Sequence, residues 1–250
     1  MTNKKEINAG IIIIGNEVLS GRTKDLNTST LSKWLNLIGI KVEEVRTIPD
    51  IEESIIKNVN EFRKRFDYVF TSGGIGPTHD DITAKSISKT FNLKYEIHKE
   101  AFKILEKYYG AEEFNEGRQK MVWMPSNANL ILNPSSGAPG FSVENVFSLP
   151  GVPLILESML PNITNKLVGG DPILSKTISL KTIESEIAKP LMIVQEKNKD
   201  VDIGSYPFFR KGEIGVSIVI RGINKSKIHD CSQQILDFVK DKNIVIVERD

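Results

Sequence analysis

Two short segments of this chain carry residues suited to phosphate chemistry. Ser72-Gly73-Gly74-Ile75-Gly76-Pro77-Thr78-His79-Asp80-Asp81 follows the run DYVFT, and Gly15-Asn16-Glu17 follows AGIIII. The glycines of the longer segment let the backbone turn with its N–H groups exposed, and they remove side chains that would hold a phosphate away. A helix expected from about Asp81 adds free N–H groups and a partial positive charge at the same place. The adjacent carboxylates of Asp80 and Asp81 can hold a hard divalent cation, with Glu17 completing the site. Thr78, Thr83 and Lys85 are further phosphate neighbours. A plainer reading of the same residues is a tight turn in which one aspartate caps a helix. No Gly-Lys-Ser/Thr follows the glycines and no G-x-G-x-x-G follows the first strand, which argues against a Walker nucleotidase and a Rossmann dehydrogenase.

Such loops work only if strand ends bring them together. Residues 9–14 read as a strand buried on both faces of a parallel sheet. Leu31, Trp34, Leu35 and Ile38 mark the inner stripe of a helix over 27–38, with Gly39 at its C-terminus. A strand over 41–48, a helix opened by Pro49-Asp50, a strand over 67–72 and a helix over 81–91 follow. This alternation predicts an α/β fold with a doubly wound, mostly parallel sheet, whose ligands lie beyond the carboxyl ends of the strands. Helices over 98–109 and 112–121, strands over 128–132 and 146–149, and a closing helix over 153–167 complete a first domain, residues 1–168. Two glycines and a proline in VGGDPILS mark a boundary. Residues 175–250 then read β-α-β-β-α-β, a small α+β domain. Its strands are expected over 175–180, 201–205, 215–221 and 244–247, and its helices over 185–196 and 225–240. Ile214, Val216, Ile218, Val219 and Ile220 read as its core.

Composition narrows the partners. A chain of 250 residues, 40% hydrophobic, has apolar content enough for packed cores and is long enough for two domains. Thirty-three basic and thirty-two acidic residues leave a net charge of +1, which gives no electrostatic reason to expect a nucleic acid. The lone cysteine, Cys231, precludes an intramolecular disulfide framework, and His79, His98 and His229 are too dispersed for a histidine metal cage. The apolar run from Ala9 to Ile14 is too short for a signal peptide or a membrane span, so a cytoplasmic protein without a membrane partner is expected. His79 reads as a solvated loop residue, His98 and His229 as surface residues of amphipathic helices, Trp34 as core, and Trp123 as either core or surface. Gly212-Glu213-Ile214-Gly215 has the spacing of an RNA clamp, but it lies between strands and carries a glutamate, which argues against that role.

The loops in combination are specific. GNEVLSGRTKDLNTSTLSKWLNLIGIKV, TSGGIGPTHDDITAKSIS, MPSNANLILNPSSGAPGF and SLPGVP, in that order, resemble the MoaB/Mog molybdopterin-binding superfamily, and within it the CinA-type amino-terminal domain. The molybdopterin-binding-like half of eukaryotic FAD synthases is similar too. IESEIAK and DVDIGSYPFF resemble the small KH-like domain that follows in CinA-type chains. The resemblance implies that Ser72, Gly73, Gly74, Gly76, Pro77, Thr78, Asp80 and Asp81 bind the phosphates or pterin of a nucleotide-like ligand. It places Gly15, Asn16 and Glu17 in the first acidic loop, and Pro150, Gly151 and Pro153 in a proline-glycine segment beside the ligand. A divalent metal (Mg²⁺, Mn²⁺ or Co²⁺) is implied as cofactor, and a homo-oligomer as the assembly. Two departures matter. The family pattern has Gly-Asp-Glu where this chain has Asn16, which removes one negative charge beside the metal. The carboxy-terminal nicotinamide mononucleotide deamidase domain of full CinA does not follow within residue 250, so no deamidase activity is expected.

These readings converge on a metal-dependent pyrophosphatase that cleaves ADP-ribose, FAD or a similar dinucleotide to AMP. Asp80, Asp81 and Glu17 are the expected metal ligands, and one of them is the expected general base. The amides of Ser72 to Gly76 are expected to stabilise the phosphoryl oxygens. The alternatives are a non-catalytic molybdopterin- or nucleotide-binding protein, and a Mog-like molybdopterin adenylyltransferase.

Overall fold

The computed structural model describes residues 7–210 and 212–249. The chain forms two compact units that part between Gly170 and Asp171. The first contains strand β1 (Ile7–Ile14), helices α1 (Asn16–Leu19) and α2 (Asn27–Leu37), β2 (Ile40–Ile48), α3 (Glu52–Arg65), β3 (Tyr68–Ser72) and α4 (Thr83–Thr90). It continues through β4 (Tyr95–Ile97), α5 (Lys99–Tyr109), α6 (Glu116–Lys120), β5 (Trp123–Pro125), β6 (Asn129–Ile131), β7 (Gly140–Val143), β8 (Val146–Leu149), α7 (Pro153–Met159) and α8 (Pro161–Thr164).

Six of these strands form one sheet in the order β2-β1-β3-β8-β7-β6. The first four run parallel; at one edge β7 pairs antiparallel with β8, and β6 antiparallel with β7, so that β7 alone opposes the rest. The continuous apolar run of β1 has a cause in this arrangement. Ile12 and Ile14 enter a core with Ile55, Val59 and Phe62 of α3 and Ile87 of α4. Ile11 and Ile13 enter the opposite core with Leu31 and Leu35 of α2 and Leu156 and Met159 of α7. Each of these buried side chains contributes roughly 1.5–3 kcal/mol relative to exposure, so a polar residue on either face of β1 would be costly. Trp34 packs edge-on to Phe70 with ring centroids 5.7 Å apart, as a partly buried member of the second core. Gly39 takes φ +72° just beyond α2, the left-handed turn that ends the helix.

Several local expectations shift. GNEVL is a helical turn, not open loop, and α4 starts at Thr83 with Ile82 at its N-cap, two residues later than expected. The expected closing helix is two short ones, because Pro161 at the start of α8 has no N–H to continue α7. His98 is not inside a helix: its Nδ1 accepts from the Ala101 N–H and caps α5. β4, β5 and β7 were not expected; β4 and β5 form a separate two-stranded ribbon.

The second unit comprises β9 (Leu174–Lys181), α9 (Glu184–Lys197), β10 (Asp202–Arg210), β11 (Glu213–Gly222), α10 (Lys225–Asp241) and β12 (Val245–Arg249). Its antiparallel sheet runs β10-β11-β9-β12. Val216, Ile218 and Ile220 are buried with Cys231 and the intervening Ser217 and Val219 are half-buried, the alternation of a one-sided sheet; Ile214, expected in the core, lies on the same side as Val216 but is exposed near the start of β11. Gly212 to Gly215 belongs to the β10–β11 hairpin rather than to a helix–helix clamp. Among the described residues no helix is long and apolar enough to cross a membrane.

Candidate functional site

The sheet order creates the site. β1 lies between β2 and β3, so the connections leaving β1 and β3 diverge and open a crevice at the carboxyl ends of the strands. Gly15-Asn16-Glu17 leaves β1 there, and the glycine-rich loop leaves β3.

Close approach of backbones explains the glycines of the second loop. Gly73 has φ +109°, and a Cβ on it would stand 2.1 Å from the Ile14 carbonyl oxygen. At Gly74, with φ +68°, a Cβ would stand 2.2 Å from Thr83 Oγ1. Thr83 is fully buried; its hydroxyl donates to Gly73 O at 3.0 Å and its N–H to Gly74 O at 2.9 Å. The expectation that Thr83 reaches a phosphate is therefore corrected: it holds the loop from beneath. The Gly73 N–H, also expected to face a ligand, donates to Leu149 O at 3.0 Å. Among the described residues the N–H groups of Gly74, Ile75 and Gly76 have no such partner, and these remain for an anion.

Ser72 is likewise committed to the scaffold. Its buried hydroxyl accepts from Asn27 Nδ2 at 2.8 Å and donates to Pro150 O at 3.1 Å. Asn27 Nδ2 also donates to Gly151 O at 2.7 Å, so one amide ties the first residue of α2 to the ends of β3 and β8. Gly151 approaches Gly73 closely, since a Cβ on it would stand 3.5 Å from Gly73 Cα. Asn27 Oδ1 is buried without a partner among the described residues, beside a cavity of about 40 Å³ bordered by Glu17, Lys24, Gly151 and Pro153.

Pro77, Thr78, His79 and Asp80 are exposed. Asp81 Oδ2 accepts from the Thr78 N–H at 2.8 Å and the Thr78 hydroxyl at 2.5 Å. It also stands where a Cβ on Gly76 would meet it at 2.8 Å. Asp81 therefore closes the turn within the loop, and neither aspartate caps α4. Hydrogen bonding from Thr78 and from its own amide holds the Asp80 carboxyl below the ordinary carboxylate range, with the charges of His79 and Lys120 adding to the effect. Lys120 Nζ donates to Thr78 O and ties α6 to the loop.

A residue not anticipated from sequence sits beside them. Asp50, just past β2, accepts the Asn16 N–H at 2.8 Å instead of opening α3. Burial pushes its carboxyl above the ordinary range, and the charges of Glu17 and Asp80 push it further. Acidic groups following β1, β2 and β3 thus interact at one end of the sheet. Among the described residues, no three His, Cys, Asp or Glu side chains converge closely enough to cage a metal ion. Glu17, Asp80 and Asp81 are accordingly not brought together as a three-carboxylate cluster. The strand-end rule could have flagged Asp50, which follows a parallel strand as Glu17 does.

Lys85 is exposed and lines a cavity of about 500 Å³ with Asp81, Ile82, Tyr95, Lys120 and Trp123. A smaller recess shares Asp81, Tyr95, Lys120 and Trp123 and is also bordered by Gly74 and Gly76. The cavity is therefore continuous with the glycine loop.

Residues 10–174 match the family model described as "Probable molybdopterin binding domain". The chain belongs to this molybdopterin-binding family. Residues 172–248 match a second model, the middle domain of FAD synthase. A protein of Archaeoglobus fulgidus is 34% identical over 232 residues, 93% of this chain and 98% of its own length. A Saccharolobus islandicus protein is 31% identical, covering 95% of this chain and 97% of its own. The crystal structure of the protein CinA from Thermoplasma acidophilum, titled as of unknown function, superposes with a TM-score of 0.60 at 31% identity. It covers 64% of this chain and 98% of that one. The molybdopterin-binding unit here is thus MoaB/Mog-like and CinA-type, with a mostly parallel sheet and a following small α+β unit.

Proposed function

We propose that the chain is a metal-dependent nucleotide pyrophosphatase that cleaves ADP-ribose or a similar adenosine diphosphate derivative to AMP. The observation that carries this reading is that acidic residues following β1, β2 and β3 (Glu17, Asp50 and Asp80) lie at one end of the sheet, beside a loop whose Gly74–Gly76 amides have no backbone acceptor among the described residues. Carboxylates at a mouth that also offers amides to an anion suit a cation between them. The donors are hard oxygens, the chemistry of Mg²⁺ or Mn²⁺. Mg²⁺ commonly uses one or two carboxylates and completes its shell with water and substrate phosphates, so a three-carboxylate cage is not required. One or two carboxylates of the set Glu17, Asp50 and Asp80 would hold it, with Asp81 fixing the loop. When bound, the metal neutralises the diphosphate and makes a neighbouring water more acidic.

The protein's own groups do the rest. The Gly74–Gly76 amides receive the phosphoryl oxygens where charge accumulates. A carboxylate of the acidic set that is not holding the metal takes the proton of the attacking water. The water oxygen bonds to the adenylyl phosphorus, the P–O bond to the second phosphate breaks, and ribose 5-phosphate leaves with the electron pair. Lys85 and Lys120 on the cavity wall balance the charge of the adenylyl phosphate.

Incubation with ADP-ribose, FAD, NAD and coenzyme A, each with Mg²⁺, Mn²⁺ or Co²⁺, and chromatography for AMP tests this reading. Metal-dependent AMP from one of them is expected. No AMP from folded protein under any metal would leave a binding protein of the same family.

A further inference from the structure

We infer that Trp123 and Tyr95 form the base subsite of this ligand site, taking the purine ring of an adenylate whose phosphate lies on the glycine loop. The inference rests on the proposed dinucleotide substrate and adds which half of it enters the cavity. Trp123 is 38% exposed, although it is a large aromatic on a short strand, and it borders both the 500 Å³ cavity and the recess beside Gly74 and Gly76. Its ring stands 5.5 Å from that of Tyr95 at 42°, neither stacked nor edge-on. A flat group can therefore lie against the indole without displacing a stacked partner. The ribbon β4–β5 that carries both rings pairs Ile97 with Trp123 and Tyr95 with Pro125, outside the main sheet. Met124, between Trp123 and Pro125, is buried in the core with Ile12 and Ile14, which anchors the ribbon while Trp123 faces the cavity.

The charges around the rings select the occupant. An aromatic wall accepts either a cation or a flat heteroaromatic group. Lys85 and Lys120 line the same cavity with the carboxylates of Asp81 and Glu116, so both signs of charge are present; the lysines suit the phosphate that a nucleotide ring carries. Glu116 and Gln119 also line it and offer oxygen acceptors for an exocyclic amine, which adenine carries. A cavity of about 500 Å³ falls within the ordinary size range of small-molecule sites.

The test is calorimetric titration of the full chain with AMP, ribose 5-phosphate and inorganic pyrophosphate, for wild type, Trp123→Ala and Trp123→Phe. Loss of the stacking surface in Trp123→Ala is expected to weaken AMP about tenfold or more, with pyrophosphate unchanged. Trp123→Phe keeps a ring and is expected to restore most of the AMP affinity. The same variants are assayed for AMP release, so that the two ideas separate. AMP binding that depends on Trp123 without any hydrolysis supports the subsite and removes the pyrophosphatase. Hydrolysis with AMP affinity unchanged in Trp123→Ala keeps the pyrophosphatase and overturns the subsite. Folded wild type that binds pyrophosphate but not AMP overturns it as well.

Discussion

Replacing Thr83 with valine separates two roles that the same residue could have. As a phosphate partner, Thr83 would be dispensable to folding and its loss would raise KM alone. In the structure it is fully buried, and its hydroxyl is donated to Gly73 O at 3.0 Å. Valine has nearly the same shape, so little packing is lost. What is lost is the hydrogen bond, and the Gly73 carbonyl is left without that donor. Stranding a buried acceptor in this way costs about 1–3 kcal/mol. For a unit of this size, each kcal/mol moves Tm by roughly 2–4 °C, so Thr83→Val is expected to melt roughly 2–12 °C below wild type. Both tryptophans, Trp34 and Trp123, lie in the first unit, so tryptophan emission follows that unit alone through the melt. A rise in KM is also expected, because Gly73 loosens beside the free amides of Gly74–Gly76. A Thr83→Val protein that melts within about one degree of wild type yet binds phosphate poorly would refute this reasoning and return Thr83 to the ligand.

Asp50→Asn is expected to stabilise the fold at neutral pH. A carboxyl whose folded pKa is raised carries a penalty above that pKa, and the penalty disappears as pH falls below the ordinary carboxylate range; melts from neutral to acid pH should show the gain shrinking in that direction. The same variant should lose AMP release, because Asp50 belongs to the acidic set that would hold the metal. Asn16→Asp adds a charge beside Asp50 and Glu17; it should raise the Asp50 carboxyl further and tighten Mn²⁺ binding about thirtyfold, the ~2 kcal/mol of one negative charge ~4 Å from a divalent cation in a watery site. Gly73→Ala brings a Cβ within 2.1 Å of Ile14 O at φ +109°. It should cost well over the ~1–3 kcal/mol of an ordinary strained residue, visible as lost tryptophan-monitored cooperativity. Asp80→Asn with Asp81→Asn should abolish turnover while circular dichroism stays that of a folded protein.

The parallel sheet was legible because its strands are continuous apolar runs separated by helical stripes. AGIIII, DYVFTS and the Leu31/Leu35 face of α2 each carry a pattern whose period fixes the element. The ribbon β4–β5 left no such trace: YEI and WMP are three residues each, too short for a period to show. In the site, sequence distance decided what could be read. Asp80, Asp81 and the glycines are neighbours along the chain and were legible as one loop. Asn27, which gathers Ser72 and Gly151, and Asp50, which accepts from Asn16, act across more than thirty intervening residues, and only the strand order brings them together. The roles of Ser72 and Thr83 were misplaced for the same reason. A hydroxyl beside a glycine loop looks ligand-facing until its buried partner is known.

The central claim is that Asp50, with Glu17 or Asp80, holds a divalent cation jointly with a diphosphate rather than without one. Its direct test is titration of Mn²⁺ into the full chain, with and without saturating α,β-methylene-ADP, a diphosphate that cannot be hydrolysed at the bridging position. Mn²⁺ should bind about tenfold or more tightly when the diphosphate is present, and Asp50→Ala should remove that coupling. Equal Mn²⁺ affinity in both titrations, or coupling that survives Asp50→Ala, would contradict it.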